Sequence, residues 1–522
     1  MTMRELDPGA ASPWSIEPGS VPAPLPTEAA DPRSVVVVGG GVGGLAAAIR
    51  LAAAGHHVQL FERSARVGGK LGSHAATGFR WETGPSLLTL PKVFDDLLGL
   101  AGTSLAAACR PVRLPLTCRY HFADGSTFAT CDDPAATRAE VEALAPGSGP
   151  AWDRWTTRSA RVWDTAARTF FTGPVEDPRA LLGRMRSPLD LVAIDPLPTL
   201  HQRAAATFSD PRLVQWACRY ATYAGSDPWR VPATLGCIPH IEQAYGCWAL
   251  LGGLATLAEA LAGAAATLGV DLHTGTEVAA LLTNDPDGRI TGVRLASGEV
   301  VAADIVVADV DAAHLYADLL PDRGGRRRVR SAGRSTSGFV LLLGVEGRTE
   351  ALDHHTVLFS AAYRQEFHDM AAGRPPADPT VYVCAADRTD PTAAPPGFES
   401  LFVLVNVPSA DDPIAAWAGG RADAYAERIL AVLERRGLDL RRRIVHREVI
   451  TPAHLAARHR ALGGAIYGTS SNGRRAAFTR PSNRGRRPGL YLVGGSSHPG
   501  GGLPLVALSA RIVADMVAAD LA

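Results

Sequence analysis

The chain has 522 residues, with 52 Lys and Arg balancing 52 Asp and Glu, 46% hydrophobic residues and a mean hydropathy of +0.04. That length suffices for about two to four domains and a large core. Zero formal charge excludes a nucleic-acid binder built on a net basic face, and ordinary apolar content with 20% charged residues excludes disorder throughout.

The seven cysteines, at 109, 118, 131, 218, 237, 247 and 384, are scattered and form no C-x-x-C pair, so reduced thiols and no metal site are expected. Residues 1–33 are rich in Pro, Ala and Glu without periodicity and read as a flexible leader. With Glu5 and Asp7 at its start, this leader does not resemble a secretory signal, which points to the cytoplasm.

Order is expected from Ser34. Val35–Val38 is a β-branched run of the kind buried on both faces of a parallel sheet. Gly39-Gly40-Gly41-Val42-Gly43-Gly44 follows, then an Ala/Leu-rich helix ending at Gly55, then the strand Val58–Glu62. This is a βαβ unit with Gly39, Gly41 and Gly44 at the three dinucleotide-fingerprint positions. Gly39 permits the tight turn, Gly41 lets backbone approach a pyrophosphate, and Gly44 lets helix and strand pack closely. Glu62, 18 residues beyond Gly44, is placed to accept both hydroxyls of a ribose.

Arg66-Val67-Gly68-Gly69-Lys70 comes next, an extra loop of the kind a flavin needs to be closed over. The chain contains only two lysines, Lys70 and Lys92, so one beside a Gly-Gly pair stands out. Gly84-Pro85-Ser86 ends an extended stretch. Between about 150 and 250 lie six of the nine tryptophans, with interleaved Phe, Tyr and Pro, suggesting a separate apolar subdomain. Cys247–Val270 is apolar enough to suggest a membrane span, but Glu259 at its middle favours a buried Ala-rich helix.

Sheet character returns at 270–272, 276–283 and 290–295, with turns at Asp287-Gly288 and Ser297-Gly298, and Ala303–Asp309 reads as another buried parallel strand. A second mixed apolar region spans about 316–480. The chain closes with the strand Gly489–Val493, the loop 494–502 and a helix from about Pro504, whose first amides can stabilise charge on a reduced flavin.

The fold expected is α/β: an FAD-binding Rossmann-like domain assembled from 34–145, 246–315 and 481–522, with an inserted mixed α/β substrate and membrane-facing domain from 146–245 and 316–480.

Val38–Leu45, Glu62-Arg63, Val67–Lys70, Gly84-Pro85-Ser86 and Leu490–Gly500 together resemble the bacterial phytoene desaturase family of FAD-dependent carotenoid desaturases, over nearly the whole chain from Ser34. Within it, Gly495–Ser509 is similar to hydroxycarotenoid 3,4-desaturases, where desaturases acting on phytoene would show an Ile-Pro-Gly-Val ending. Trp81-Glu82-Thr83 departs from the family's Phe-Asp and small residue, so Glu82 is assigned no role.

The resemblance implies noncovalent FAD contacted by Gly39, Gly41, Gly43, Gly44, Glu62, Arg63, Gly69, Lys70, Gly84, Pro85, Ser86, Val278, Gly494, Gly495, His498, Pro499, Gly500 and Leu503. It also implies a hydrophobic carotenoid substrate and peripheral association with the inner face of the cell membrane. The activity implied is 3,4-desaturation of a 1-hydroxycarotenoid such as hydroxyneurosporene by hydride transfer to flavin, with dioxygen or a quinone as final acceptor. His498 either moves a proton or holds the loop.

Alternatives are a phytoene desaturase proper, making neurosporene or lycopene from phytoene, or an oxidase of the amine oxidase or protoporphyrinogen oxidase type. A binding module without redox chemistry is disfavoured by Gly68-Gly69-Lys70 and His498-Pro499-Gly500. A C40 polyene offers almost no hydrogen bonds, so the aromatic middle region would either wall its tunnel or fill a core. Arginines at 326–328, 441–443 and 484–487 either meet anionic lipid or lie in solvated loops.

Overall fold

The computed structural model describes residues 31–176, 178–284 and 287–522. Most of the expected leader, residues 1–30, lies outside the described residues.

Ser34–Val38 is the middle strand of a five-stranded sheet ordered Leu490–Leu492, Ile305–Ala308, Ser34–Val38, His57–Phe61, Asp271–His273, every neighbouring pair parallel. Val35 and Val37 pack with the helices Val42–Ala53, Ala255–Thr267 and Leu503–Leu521. Val36 and Val38 point the other way, into a core shared with Val278, Leu281, Ile290 and Val293 of a three-stranded antiparallel sheet. Because both faces are covered, the strand shows no alternation. The expected α/β architecture is present, with this sheet drawn from three distant parts of the chain.

The apolar stretch 247–270 divides into a strand, Trp248–Leu251, a turn at Gly252 and Gly253 with positive φ, and the helix Ala255–Thr267. Leu257, Leu261 and Ala265 of that helix are fully buried in the first core. Among the described residues, no helix is long and apolar enough to cross a membrane.

The second sheet has seven strands in the order Ile444–Ile450, Ser337–Glu346, Phe398–Val407, Val381–Ala385, His355–Leu358, Leu116–His121, Thr127–Cys131. Helix Arg421–Arg435 covers one face, burying Ile429, Leu430 and Leu433 against Phe339, Leu341 and Leu343. One boundary differs from expectation. Residues 116–131, assigned above to the cofactor-binding part, form a hairpin whose first strand pairs in parallel with His355–Leu358. Alternation shows that a segment is a strand, but the partner comes from more than 220 residues away and leaves no local trace.

The aromatic middle region is helical and makes a core. Trp152, Trp155, Phe208, Trp216 and Phe128 pack ring against ring at centroid distances of 4.8–6.5 Å. These rings pack against one another in a single core. Trp216 touches five other rings and is fully buried, so Trp216→Ala should cost about 3–5 kcal/mol, read as a lowered denaturant midpoint with the slope unchanged.

Candidate cofactor and substrate site

In the five-stranded sheet the chain leaves Ser34–Val38 in one direction and later resumes on its other side with Ile305–Ala308. The crevice beyond the carboxyl ends of such a pair is where doubly wound sheets bind ligands. Here it is framed by Gly39–Gly44 and Asp309. Gly39 has φ +101°, its N–H donates to the Phe61 carbonyl at 2.8 Å, and a Cβ on it would strike Asp309's backbone. Gly41 starts helix Val42–Ala53 and has no side chain to cap it. Gly43 would place a Cβ 3.0 Å from the backbone of Gly494, so glycine segments from opposite ends of the chain meet.

Asp309, unremarked in the sequence as a site residue, sits at that meeting point. Its carboxylate accepts the Gly44 N–H at 2.8 Å and lies against Gly41, Gly43 and Gly494. Burial raises its pKa to about 6, with Glu62 adding to the rise while the Gly44 N–H and Lys70 oppose it. Asp311 is also raised by burial, while Lys70 is held below the ordinary lysine value by burial and pulled back up by both acids. The Lys70 ammonium donates to the Ile466 carbonyl at 2.6 Å. The only sequence signal for these acids is their position at the end of the Ala303–Ala308 run.

Glu62 accepts the N–H of Gly40 at 2.8 Å and of Ser64 at 2.7 Å. Gly68 N–H donates to the Gly40 carbonyl at 2.7 Å, and Gly69 packs on Gly41, which seats the Lys70 loop on the glycine turn. Gly84 packs tightly on the Lys70 carbonyl, holding Pro85 beside this loop. Val278 is buried beside Val38 and Phe61. Two expected residues turn elsewhere. Arg63 donates to the carbonyls of Ala457 and Arg458, and Ser86 hydrogen-bonds the Tyr382 hydroxyl in the second sheet at 2.6 Å.

At the C-terminal loop, the His498 ring is buried, its Nε2 lies 2.7 Å from the Phe170 carbonyl, and burial lowers its pKa to about 4. A neutral ring anchored this way ties the loop that carries Pro499 to helix Gly149–Phe170. Gly495 and Gly500 flank Arg480, which donates to the carbonyls of Tyr467, Thr469 and Gly495 and which burial lowers to about 10. The Tyr467 ring is wedged between Gly501 and Gly225, and Leu503 opens the final helix from a buried position. Neither Arg480 nor Tyr467 has a motif that would mark it.

Residues 42–518 match the flavin-containing amine oxidoreductases. The chain is 35% identical over 94% of its length to a 4,4'-diapolycopene oxygenase of Methylomonas sp., 99% of which is covered. It is 32% identical to a 4,4'-diaponeurosporene oxygenase of Staphylococcus aureus, over 93% of this chain and 98% of that one. The chain belongs to the flavin-containing amine oxidoreductase family. An oxidoreductase from Methanosarcina mazei shares the fold with a TM-score of 0.64 at 17% identity, covering 92% of this chain and 99% of that one. A putrescine oxidase bound to putrescine does so with a TM-score of 0.60, also at 17% identity, covering 94% and 99%.

As a flavin-containing amine oxidoreductase, this enzyme uses FAD, and the crevice fits it. The first turn of helix Val42–Ala53 contains no acid, and the N–H of Gly43 has no protein acceptor among the described residues. A free amide at a helix start, lined by glycines, suits a pyrophosphate. The Glu62 oxygens keep lone pairs beyond those used by Gly40 and Ser64.

A Cβ on Gly44 would be driven into the Gly39 carbonyl oxygen, so Gly44→Ala must displace the turn. The variant should bind FAD about tenfold or more weakly, measured by flavin fluorescence on dialysis. Glu82 yields a second expectation. Its Oε1 accepts the Leu254 N–H at 2.8 Å, its Oε2 has no partner, and burial pushes the carboxyl up to about 7. A raised carboxyl contributes stability at low pH that is lost as pH rises through that value. Glu82→Gln should therefore melt higher than the parent at about pH 8, by on the order of 3 kcal/mol, with the difference vanishing below about pH 4.5.

Proposed function

We propose that this flavoenzyme oxidises the end of an acyclic carotenoid. The observation that carries the reading is full-length similarity to enzymes named for 4,4'-diapolycopene and 4,4'-diaponeurosporene, both linear polyenes. The glycine turn 39–44, Glu62, Gly69, Lys70, Gly84, Pro85, Val278 and the 494–503 loop would hold the FAD, with the start of helix Val42–Ala53 taking the pyrophosphate. FAD held there would supply a two-electron acceptor for oxidation of carbon next to the polyene; desaturation would also release a proton, and oxygenation would also take its oxygen atom from water or dioxygen. The protein's part is burial and orientation: His498 fixes the loop to Phe170, and Tyr467 fills the space over Gly501.

Two chemistries fall within this reading. Oxygenation at the chain end is the first, supported by the relatives' names. The second is 3,4-desaturation of a 1-hydroxycarotenoid, supported by the run Gly495–Ser509. Expression in hosts accumulating 4,4'-diaponeurosporene, lycopene or 1-hydroxyneurosporene, followed by pigment mass analysis, tests both. Gain of oxygen on the hydrocarbons supports the first, and loss of two hydrogens from only the hydroxylated pigment supports the second. No change in any pigment overturns the proposal.

Such a substrate dissolves in lipid, and one surface suits a bilayer. Leu182, Leu189, Leu191, Val192 and Leu197 are exposed within sixteen residues, Leu189 and Val192 at 74% and 70%, flanked by exposed Arg179 and Arg186. Clustered exposed apolar side chains mark contact surfaces. The arginine runs are less suited, because several of their charges are taken internally: Arg441 pairs with Glu427, Arg484 with Asp520, and Arg486 with Asp322. The double variant Leu189→Glu/Val192→Glu should co-sediment with anionic phospholipid vesicles about tenfold less, with flavin content confirming its fold.

A further inference from the structure

The scattered cysteines have no ligand spacing along the chain, but strand pairing brings one of them to two histidines. His355 opens the strand His355–Leu358 and lies directly opposite Cys384 on the antiparallel strand Val381–Ala385. His354 comes one residue earlier, and its ring lies 4.5 Å from that of His355 at an interplanar angle of 73°. One donor atom from each of His354, His355 and Cys384 falls within 4.8 Å of the other two. All three residues are buried, at 8%, 2% and 2% exposure.

Each imidazole is held through one ring nitrogen. His354 Nδ1 lies 2.7 Å from the Thr389 hydroxyl, and His355 Nδ1 lies 2.7 Å from the Tyr382 hydroxyl, which also bonds Ser86 at 2.6 Å. The other nitrogen of His355, Nε2, is buried without a partner. A ring hydrogen-bonded at one nitrogen and bare at the other is the state in which histidine ligates a metal. Beside His354 and Cys384 lies a cavity of about 20 Å³, room for one water, that Arg80 and Glu82 also border. Arg80 is paired with Asp390 at 2.5 Å, whereas Glu82 Oε2 is buried without a partner. Bare buried polar atoms are costly, and a cation carrying one water would satisfy them.

We propose that His354, His355 and Cys384 bind one zinc ion, with a water in the adjoining cavity as its fourth donor and Glu82 accepting from that water. Two imidazoles, a thiolate and a water make a four-coordinate zinc set, with Zn–N about 2.0–2.1 Å and Zn–S about 2.3 Å. Donors around such an ion stand about 3.3–3.6 Å apart, so the three side chains would draw together by up to about 1 Å on binding. The Cys384 thiol gives its proton to solvent as the Zn–S bond forms. Cys384 belongs to the seven-stranded sheet and Glu82 to the hairpin Ser73–Glu82, so the ion would tie these two parts beside the Ser86–Tyr382 bond. The gain expected of Glu82→Gln above is that of the metal-free protein.

The test uses the FAD-loaded full chain without a polyhistidine tag, expressed in zinc-supplemented medium and dialysed into metal-free buffer. The parent should keep about one zinc per chain by elemental mass spectrometry. X-ray absorption at the zinc edge should show one sulfur at about 2.3 Å with nitrogen or oxygen donors at about 2.0–2.1 Å. Cys384→Ser should hold zinc about a hundredfold more weakly or worse, and Tyr382→Phe, which removes the hydroxyl that positions His355, about tenfold more weakly. Cys118→Ser, at a buried cysteine on another strand of the same sheet, should keep the parent's zinc. Added zinc chloride should raise the melting temperature of metal-stripped parent but not of Cys384→Ser, with flavin content confirming that the variants fold. The site is overturned if the parent carries no more zinc than its buffer after both growth and direct addition. It is equally overturned by zinc without a sulfur neighbour, or by zinc held as firmly in Cys384→Ser as in the parent.

Discussion

The structure turns on a place where side chains are absent. Gly43 and Gly494 meet backbone to backbone, and Asp309 from a third segment fits into the space they leave. Any Cβ on Gly41, Gly43 or Gly494 would collide with that carboxylate or with the opposite backbone. The free amide at the start of helix Val42–Ala53, the seat of the Lys70 loop and the start of the final helix are all set by this contact. A carboxylate buried at a helix start needs an opposing charge, and Lys70, whose charge acts on both Asp309 and Asp311, supplies it.

Around this point the two sheets divide the work. The parallel sheet, covered on both faces, presents the carboxyl ends of its strands to the glycine-framed crevice. The seven-stranded sheet carries a helix on one face and contributes Leu404 and Asn406 to a small cavity on the other side. They are tied by specific contacts: Ser86 to Tyr382, Lys70 to Ile466, and Trp81 through its indole N–H to the Leu343 carbonyl at 3.1 Å. Residues between the halves thus serve both.

What could be read in advance follows from how local its cause is. The valine run and the six-residue glycine turn declare themselves because their physics is contained within ten residues, and the first parallel strand, its helix and Glu62 fell where the pattern placed them. Gly494 to Gly500 was legible through its own glycines. Asp309 and Arg480 were not, because each matters through neighbours elsewhere along the chain: Gly44 for the first, and Tyr467 and Gly495 for the second. For Ser86 the motif fixes the turn, while the partner of its hydroxyl is Tyr382, far along the chain. The tryptophans were legible as apolar mass, but only their mutual packing shows that they fill a core.

The edge strand Leu490–Leu492 and the helix Leu503–Leu521 bracket the loop that supplies Gly494, half of the contact on which the cradle depends. Its other half, Gly43, lies in a segment far away in sequence, so the crevice has its shape only once both segments have docked on the same sheet. A lesion that loosens the edge strand would therefore be felt at the glycine turn without touching it.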